Sequence, residues 1–472
     1  MTKKELEKFL QKKFNFNHFR EGQFDVINSL LNKRNTLAIL PTGAGKTLIY
    51  QFYGELLKVP VLIVSPLLSL IGDQVARIRL SGESRVADLS SRQTYQVQQE
   101  TLNHLSNYRF LFISPEQAAK PEVQEKLRSV RWGLLVIDEA HCIPKWGPSF
   151  RPDYLRLGEL RKKLKNPLTL MLTATASEET RSLIIQYLNL SFVDVNTIIR
   201  SVNRPNIYMN FDNLSTNDNK NKELLRLLRE LPRGGIIYFS SRKIANQVSE
   251  LIDENTDFSS SAYHAGMDTY QRFKIQNQFI NDNIDVICAT SAFGMGIDKD
   301  NIHFVIHYHM PGNIESFVQE IGRAGRNGEQ AISILLYQTG DENIPQNLSS
   351  FSIPGQEVIE SYFEGKNSNE LLRYYSEQGL KKEDVLKVFE QQQEQQRREI
   401  RKMLEFIHTN GCHREYLLHA FDESGYQHNQ IKLCCSNEVN VSAIRFIERH
   451  EKKQLSSVLS WKRALLKLFN SR

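Results

Sequence analysis

The strongest constraint on the fold is a repeated alternation of short apolar runs with longer amphipathic stretches between about residues 36 and 340. The runs are TLAIL, VLIVSP, RFLFISP, LLVID and LTLMLTAT, followed by GGIIYFS, DVICATS and FVIHYHM. Short runs without an apolar/polar alternation are typical of parallel strands that are buried on both faces and joined by helices. The sequence therefore predicts an α/β protein built on parallel sheets.

A polar stretch at residues 206–223 divides this pattern into two halves, and we interpret it as a linker. After about residue 340 the strand pattern ceases, and residues 379–410 read as helices whose Gln-rich part is a solvated face. A chain of 472 residues is also too long for one ordinary core. We predict two tandem parallel-sheet domains, residues 1–205 and 206–342, and a smaller helical domain, residues 343–472.

Composition and charge indicate the cellular compartment of the chain and the kind of partner that it can bind. The excess of 60 Lys and Arg over 54 Asp and Glu permits a polyanionic partner without demonstrating one. No window reaches the roughly 18 uncharged apolar residues of a membrane span, and the charged amino terminus does not resemble a signal peptide. Five cysteines, an odd number, favour a reducing compartment. We expect a cytoplasmic protein without a membrane segment.

The segment TLAILPTGAGKTLIYQ reads as a strand, a glycine turn and a helix start. Such a turn directs backbone N–H groups at a phosphate, while the lysine reaches the β- and γ-phosphates of ATP and the threonine hydroxyl holds Mg²⁺. Leu40 stands where the strict motif has glycine, so an ordinary glycine turn is the alternative. The candidate nucleotide-binding residues are Thr42, Gly43, Ala44, Gly45, Lys46 and Thr47.

Two carboxylates, Asp138 and Glu139, follow the apolar strand LLVI. Ligands bind at the carboxyl ends of strands in open parallel sheets. Asp138 is therefore the candidate for holding Mg²⁺, and Glu139 for polarising the attacking water. An isolated Asp-Glu pair would be ordinary surface, but here it comes roughly 90 residues after a phosphate loop, which favours a catalytic role.

The second half of the chain contains QEIGRAGRNG, with Gln319, Arg323 and Arg326. Two arginines three residues apart are expected on one helical face. The planar, permanently charged guanidinium is suited to stabilising charge on a transferring phosphoryl group. Arginines that cap a helix before Gly328 are the alternative.

Eleven motifs occur in one order: FNFNHFREGQFDVI, LPTGAGKTLIYQ, SPLLSLIGDQV, FISPEQ, VIDEAHCIPKWGPSFRPDY, LTATA, RPNI, IIYFSSRK, YHAGM, ATSAFGMGIDK and FVQEIGRAGRNG. Together they resemble superfamily 2 helicases and, within them, the RecQ family of DNA helicases. The resemblance covers about residues 8–345 and continues more weakly to about 435. It implies two RecA-like domains that bind ATP between them.

The resemblance also implies roles for individual residues. Arg20 and Gln23 would recognise adenine, and His141 would link the nucleotide site to Thr173–Thr175 and to the second domain. Arg326 would be the arginine finger, supported by Gln319 and Arg323.

Residues 143–154 are similar to the family's aromatic-rich loop, which senses single-stranded DNA. Aromatic rings stack on any base, at about 1–3 kcal/mol each. The candidates are Trp146, Phe150 and Arg151; packing of the rings in a corner of the first domain is the alternative, above all for Tyr154.

Two further residues, Ser65 and Thr290, are expected to grip strand phosphates. The loop itself departs from the commoner family form, because Pro148 and Ser149 replace its His and Asp. The contribution of those polar groups to coupling is weakened here or supplied differently.

The family's helical platform usually carries four cysteines around zinc, but this region offers only Cys412, Cys434 and Cys435. Structural zinc takes four ligands. We therefore expect no intact zinc site, with His413, His419 or His428 as the alternative fourth ligands.

The sequence after this region is too short for a winged-helix domain and the helical nucleic-acid-binding domain of longer RecQ proteins. The expected function is an ATP- and Mg²⁺-dependent helicase acting 3′ to 5′ on single-stranded and forked duplex DNA in recombination and repair, with a monomer favoured. An RNA helicase and an ATP-switched nucleic-acid clamp without unwinding are the alternatives.

Overall fold

The computed structural model describes residues 1–147, 151–214, 216–294, 299–426, 433–437 and 441. Two seven-stranded parallel sheets dominate the described part, which confirms the predicted fold class. The first sheet has the order β3-β4-β2-β5-β6-β1-β7. Its strands are β1 (Asn35–Ile39), β2 (Val61–Val64), β3 (Val86–Leu89), β4 (Phe110–Ile113), β5 (Leu134–Ile137), β6 (Thr169–Thr173) and β7 (Val195–Ile199).

Helices cover both faces of the first sheet, because its inner strands are apolar at consecutive positions and bury every side chain. Two apolar clusters lie on the opposite faces. The helices are α1 (Lys3–Phe14), α2 (Gln23–Leu31), α3 (Lys46–Leu57), α4 (Leu68–Leu80), α5 (Tyr95–Asn103), α6 (Pro115–Ala119), α7 (Pro121–Leu127), α8 (Cys142–Trp146), α9 (Leu157–Lys163) and α10 (Glu178–Tyr187), with short 3₁₀ turns at Leu105–Asn107, Pro152–Tyr154 and Phe192–Asp194.

The second sheet repeats the topology of the first, strand for strand, in the order β10-β11-β9-β12-β13-β8-β14. Its strands are β8 (Ile207–Leu214), β9 (Gly235–Tyr238), β10 (Ser260–Tyr263), β11 (Val286–Ala289), β12 (Phe304–His307), β13 (Ala331–Gln338) and β14 (Cys435–Ser436). Its helices are α11 (Asn217–Glu230), α12 (Arg242–Asn255), α13 (Thr269–Ile280) and α14 (Ile314–Ile321).

The predicted linker at residues 206–223 is wrong. This stretch forms β8 and the beginning of α11, and the connection between the sheets is residues 200–206. The strand was not recognised because β8 contains polar residues. Asn210 is 1% exposed in the middle of the sheet, where an apolar residue would be expected.

The end of the strand pattern near residue 340 is also not the end of the second sheet. Cys435 and Ser436 form β14, which pairs in parallel with Met209 and Asn210 of β8. A strand of two residues has no measurable periodicity, so the pattern in the sequence could not reveal it.

In the described part of the chain, five helices follow β13, in agreement with the predicted helical region. They are α15 (Asn343–Ser352), α16 (Gln356–Phe363), α17 (Glu370–Glu377), α18 (Lys382–Ile407) and α19 (His413–His419). The second half of α18 buries Met403 and Phe406 against the core of the second sheet. Its first half buries Val385 and Phe389 in a small separate core. None of residues 391–396, the Gln-rich part between the two halves, is buried.

Within the described ranges, no helix combines the length and apolarity that a bilayer crossing requires.

Candidate active site

The phosphate loop connects β1 to α3 and depends on two glycines. Gly43 and Gly45 have φ values of +87° and +70°, a region that favours glycine. A Cβ on Gly45 would lie 2.7 Å from Nε2 of Gln23. A larger residue at position 45 would therefore displace the Gln23 amide from the loop. The Lys46 Nζ, at the start of α3, donates to the Leu40 carbonyl at 3.2 Å. Leu40 itself is fully buried, which accounts for the departure from glycine at this position: its side chain belongs to the core.

Arg20 and Gln23 contact the phosphate loop. The Gln23 amide donates to the carbonyls of Ala44 (2.8 Å) and Gly45 (3.0 Å) and accepts from the Arg20 N–H at 2.9 Å. The Arg20 guanidinium donates to the Gly43 carbonyl. The side chains expected to recognise adenine therefore bind the loop backbone here, and adenine recognition requires them to exchange these hydrogen bonds.

The two carboxylates lie at the end of β5, next to the phosphate loop. Asp138 is 9% exposed, and burial followed by the Glu139 charge raises the pKa of Asp138 to about 7. Glu139 has φ +48°, which is rare for a residue with a side chain and is a form of strain found at functional sites. The Glu139 N–H donates to Oδ1 of Asp138 at 3.1 Å. The backbone thus turns sharply so that both carboxylates face the same region.

A hydroxyl and a carboxylate supply the oxygen atoms that Mg²⁺ prefers. The Thr47 hydroxyl accepts from the Gln74 amide at 3.0 Å, and the Gln74 carbonyl oxygen is buried without a hydrogen bond in the described structure. Thr47 and Asp138 therefore fit a magnesium site with oxygen ligands, and Gln74 is a neighbour that the sequence analysis missed. Its only signal was its place in the motif SPLLSLIGDQV.

His141 is neutral, and its hydrogen bonds identify the tautomer. Burial, and then the charges of Lys145 and Lys46, lower the pKa of His141 to about 3. The Thr173 hydroxyl donates to the Thr175 carbonyl at 2.9 Å, so it accepts from Nδ1 of His141, also at 2.9 Å. The proton therefore lies on Nδ1, and Nε2 is an acceptor.

Gln319 reaches this histidine from the second domain. Its Nε2 is 3.3 Å from Nε2 of His141 and 3.3 Å from the Thr175 hydroxyl. Since His141 Nε2 is an acceptor, the two amide hydrogens of Gln319 are used on His141 and Thr175. The structure thus connects the DEAH box, the TAT segment and the second domain through three side chains.

The expectation that Arg323 and Arg326 share a helical face is wrong. Helix α14 ends at Ile321, and both arginines lie in the turns that follow, because Gly325 and Gly328 have φ values of +58° and +85°. The Arg323 guanidinium donates to the Gly294 carbonyl of its own domain.

Arg204, in the motif RPNI, holds these turns, a role that its sequence neighbours do not indicate. Its guanidinium donates to the carbonyls of Gly322 (3.1 Å), Ala324 (3.0 Å) and Gly325 (2.7 Å). One side chain therefore fixes the segment that carries both candidate catalytic arginines.

Arg326 lies against the phosphate loop of the other domain. A Cβ on Gly43 would be 3.6 Å from Cγ of Arg326, and one on Gly322 would be 3.2 Å from Thr42. Burial lowers the pKa of Lys46; Glu139 and Asp138 oppose this change, and Arg326 and Arg323 add to it. The two domains thus meet around Lys46 with two anionic and two further cationic groups.

The candidate strand-sensing residues differ in exposure. Tyr154 is 1% exposed and packs in the first domain, so the packing interpretation applies to it. Trp146 is half-buried and meets Tyr154 edge-on at 6.4 Å. Arg151 donates to the carboxylate of Glu116 and the carbonyl of Pro66, both at 2.6 Å, which ties the loop to α6 and to the end of β2.

The other candidates for DNA contact are less informative. Ser65 is 1% exposed, so in this arrangement it offers no surface to a strand. Thr290 follows β11 and is partly exposed. Phe150, with Pro148 and Ser149, lies outside the described residues.

The three cysteines of the helical region come together at the edge of the second sheet. The Sγ atom of Cys412 is 3.5 Å from that of Cys434 and 3.6 Å from that of Cys435. In the described part of the chain no fourth Cys, His, Asp or Glu joins them. The His413 ring stacks on Phe211 at 3.8 Å and directs Nε2 to the Ile407 carbonyl, His419 is exposed, and His428 lies outside the described residues.

The comparisons with known proteins agree with this architecture. The family model described as DEAD/DEAH box helicase matches residues 20–183, and the helicase conserved C-terminal domain matches residues 219–328. The DEAD-box helicase Mss116 bound to single-stranded RNA has a TM-score of 0.62 at 17% identity, covering 88% of this chain and 89% of that one. The helicase MrfA bound to DNA has a TM-score of 0.60 at 17% identity, covering 73% and 53%. The fold and the two matching family models define a two-domain helicase.

Sequence relatives narrow this class. The probable ATP-dependent DNA helicase RecS of Bacillus subtilis is 38% identical over 493 residues, covering 100% of this chain and 98% of the relative. The ATP-dependent DNA helicase RecQ of Haemophilus influenzae is 38% identical over 339 residues, covering 70% of this chain and 53% of that protein. The chain belongs to the RecQ family of ATP-dependent DNA helicases.

Proposed function

We propose that this chain hydrolyses ATP at the boundary of its two sheet domains and uses the resulting cycle to move 3′ to 5′ along one DNA strand and separate a forked duplex. The observation that carries the proposal is the contact of Arg326 with Gly43, because it places a cation of the second domain at the phosphate loop of the first. A site of this kind is complete only when the domains are together.

Each group at the boundary has a role in this proposal. Lys46 binds the β- and γ-phosphates, while Thr47 and Asp138 would hold Mg²⁺, which would neutralise phosphate charge. Glu139 orients a water molecule and accepts its proton as the oxygen attacks the γ-phosphorus and ADP leaves. Arg326 stabilises the charge on the transferring phosphoryl group.

The supporting residues hold these groups in place. Gln319 links the second domain to His141, and Arg323 and Arg204 fix the turn that bears Arg326. Arg20 and Gln23 bind adenine after exchanging their bonds to the loop. No step depends on zinc, and Cys412, Cys434 and Cys435 act as packing at the sheet edge.

DNA engages the face of the motor that bears Trp146, with Arg151, Phe150, Ser65 and Thr290 as the further candidates. The protein acts as a monomer on intracellular DNA, in recombination and repair. This assignment rests on membership of the RecQ family, whose relatives carry the name DNA helicase.

The test is a pair of assays on the full chain with excess ATP and Mg²⁺. One measures ATP hydrolysis with no nucleic acid, with single-stranded DNA and with RNA of the same sequence; the other measures strand separation of a forked DNA duplex. We expect DNA to stimulate hydrolysis more than RNA does, the fork to be separated, and Lys46→Ala to abolish both activities.

Other outcomes identify the alternatives. Greater stimulation by RNA would make the protein an RNA helicase, and hydrolysis without strand separation would make it a nucleic-acid clamp. Comparing forks with a single-stranded tail at the 3′ or the 5′ end tests direction, and a metal analysis of the purified protein tests the zinc expectation.

A further inference from the structure

A second contact between the domains lies one helical turn from the His141–Gln319 contact. The Lys145 ammonium, in α8, forms an ion pair with the Glu315 carboxylate, in α14. Lys145 follows His141 by four residues, and its N–H donates to the His141 carbonyl at 3.4 Å. Glu315 precedes Gln319 by four residues. His141 directly precedes α8 in helical backbone conformation, and residues four apart lie on the same face of a helix. The segment His141–Lys145 and α14 are therefore joined by two contacts, one helical turn apart.

The two contacts differ in what lies next to them. The inner contact, His141–Gln319, is beside Glu139 and the nucleotide site, since Oε2 of Glu139 is 3.3 Å from Nδ1 of His141. The outer contact, Lys145–Glu315, is beside Trp146, the next residue in the chain after Lys145. Helix α14 leads within a few residues to Arg323 and Arg326. The outer contact therefore connects Lys145, next to the candidate DNA-sensing residue Trp146, to α14, which precedes the candidate arginine finger Arg326.

The Lys145–Glu315 ion pair is partly buried, unlike a typical surface ion pair. The side chain of Glu315 is 10% exposed and that of Lys145 is 29% exposed. A carboxylate buried to this degree needs a cation, because an unpaired buried charge is costly. Burial lowers the pKa of Lys145 to about 8, and the charge of Glu399, in α18, opposes this change. The cation thus lies at the boundary of the first and second domains.

We propose that Lys145 and Glu315 are positioning residues for DNA-stimulated hydrolysis: their ion pair forms as the domains close and couples the segment bearing Trp146 to the segment bearing Arg326. This inference rests on the proposed function. In the commoner family form, His and Asp stand where this chain has Pro148 and Ser149. The Lys145–Glu315 pair would supply the coupling that those polar side chains are expected to provide.

The experiment compares Lys145→Met, Glu315→Gln, Lys145→Arg and the exchanged pair Lys145→Glu with Glu315→Lys. Hydrolysis is measured without DNA and across a titration of single-stranded DNA, and DNA affinity is measured by fluorescence anisotropy. The matched control is Lys382→Met, which removes an ammonium from an exposed ion pair with Glu360 at 3.3 Å. A thermal melt of each variant reports on folding.

Each single neutral variant is expected to lose about tenfold in the maximal DNA-stimulated rate, a typical size for coupling between sites. The rate without DNA and the DNA affinity should stay within about twofold of the unsubstituted protein, since Lys145 and Glu315 contact neither ligand in the proposal. Lys145→Arg and the exchanged pair should recover most of the stimulation, and Lys382→Met should lose none.

Three results would overturn the inference. The first is unchanged stimulation in both neutral variants, Lys145→Met and Glu315→Gln. The second is a loss that affects the rates with and without DNA equally, and the third is an exchanged pair that folds but recovers nothing. The proposed function fails separately, because that failure would appear as an unsubstituted protein that DNA does not stimulate.

Discussion

Replacing Gln319 tests the interdomain site at its most specific point. The Gln319 amide donates two hydrogen bonds across the boundary, to His141 Nε2 and the Thr175 hydroxyl, each at 3.3 Å. A neutral hydrogen bond contributes about 0.5–1.5 kcal/mol net, so Gln319→Ala should weaken the closed arrangement by about 1–3 kcal/mol. If closure limits the reaction, the DNA-stimulated kcat falls by a factor of about 5 to 150. The KM for ATP should change less, because Lys46 and Thr47 lie in the first domain.

Gln319→Glu distinguishes donation from simple packing. A carboxylate cannot donate, so it would oppose the acceptor Nε2 of His141 unless the imidazole takes a second proton. The new negative charge would raise the pKa of His141 from about 3. Below the raised pKa the imidazolium donates to the introduced carboxylate and activity recovers; above it the repulsion remains. An adjacent opposite charge raises a pKa by about 1–3 units, so the raised pKa of His141 would be about 4–6. The stimulated rate of this variant should therefore increase as pH falls from about 7 to about 5, relative to that of the unsubstituted protein.

The assay is DNA-stimulated hydrolysis at saturating ATP, combined with a double-mutant cycle that uses Thr175→Val. Because Gln319 and Thr175 share one hydrogen bond, the losses in Gln319→Ala and Thr175→Val should be less than additive in the double variant. Strict additivity, together with a Gln319→Glu variant as active as the unsubstituted protein at the higher pH, would refute the assigned tautomer and the role of the amide.

Three other substitutions probe separate parts of the site. Trp146→Ala should weaken single-stranded DNA binding by about 1–3 kcal/mol, as for loss of one base stack, and reduce stimulated hydrolysis more than basal hydrolysis; an equal loss in both would contradict the sensor role, and Tyr154→Phe is the control. Arg204→Lys should lower the stimulated kcat by about tenfold at constant KM for ATP. One ammonium cannot reach all three carbonyls, and a charged hydrogen bond contributes about 1.5–3 kcal/mol. An unchanged kcat would show that the turn does not depend on Arg204. Asp138→Asn should raise the Mg²⁺ concentration for half-maximal hydrolysis by at least about tenfold, and an unchanged Mg²⁺ titration would remove Asp138 from the metal site.

The groups that could be read from the sequence are those whose chemistry is local. The phosphate loop is contiguous from Pro41 to Thr47, and the carboxylates directly follow the strand that positions them, so strand, turn and helix patterns were enough. The contacts of Gln74 and Arg204 were missed because each acts on a residue or turn far along the chain, Thr47 in one case and Gly322–Gly325 in the other. Nothing in the residues next to them in the sequence indicates those partners.

The errors have equally physical causes. Spacing of three suggested a helix for Arg323 and Arg326, but Gly325 and Gly328 adopt positive φ values and form turns that α-helical spacing does not describe. The linker at 206–223 was inferred from polarity, and β8 is polar because Asn210 is buried inside the sheet. Polarity marks a loop only when the polar groups reach solvent.

The shared topology of the two sheets suggests which parts of the molecule move together. In the first sheet the seventh strand follows the sixth after one helix and a short 3₁₀ turn, whereas in the second it follows helices α15 to α19. The helical region therefore supplies an edge strand and, through Met403 and Phe406, part of the core of the second domain. It cannot separate from that domain without exposing both.

The helical region contacts the first domain through exposed ion pairs, in contrast to its apolar packing on the second domain. These contacts include ion pairs of Arg156 with Glu377 and of Arg181 with Asp422, whose carboxylates are 49% and 44% exposed, and the partly buried ring of Tyr374 at the edge of the first core. Exposed ion pairs contribute about 0–1 kcal/mol each, so they break readily. Opening of the nucleotide cleft should then separate the first domain from a single body made of the second domain and the helices. The boundary between these two bodies is where Gln319 meets His141 and Glu315 meets Lys145. In the proposed function, this boundary is therefore the route by which DNA bound near Trp146 would act on Arg326.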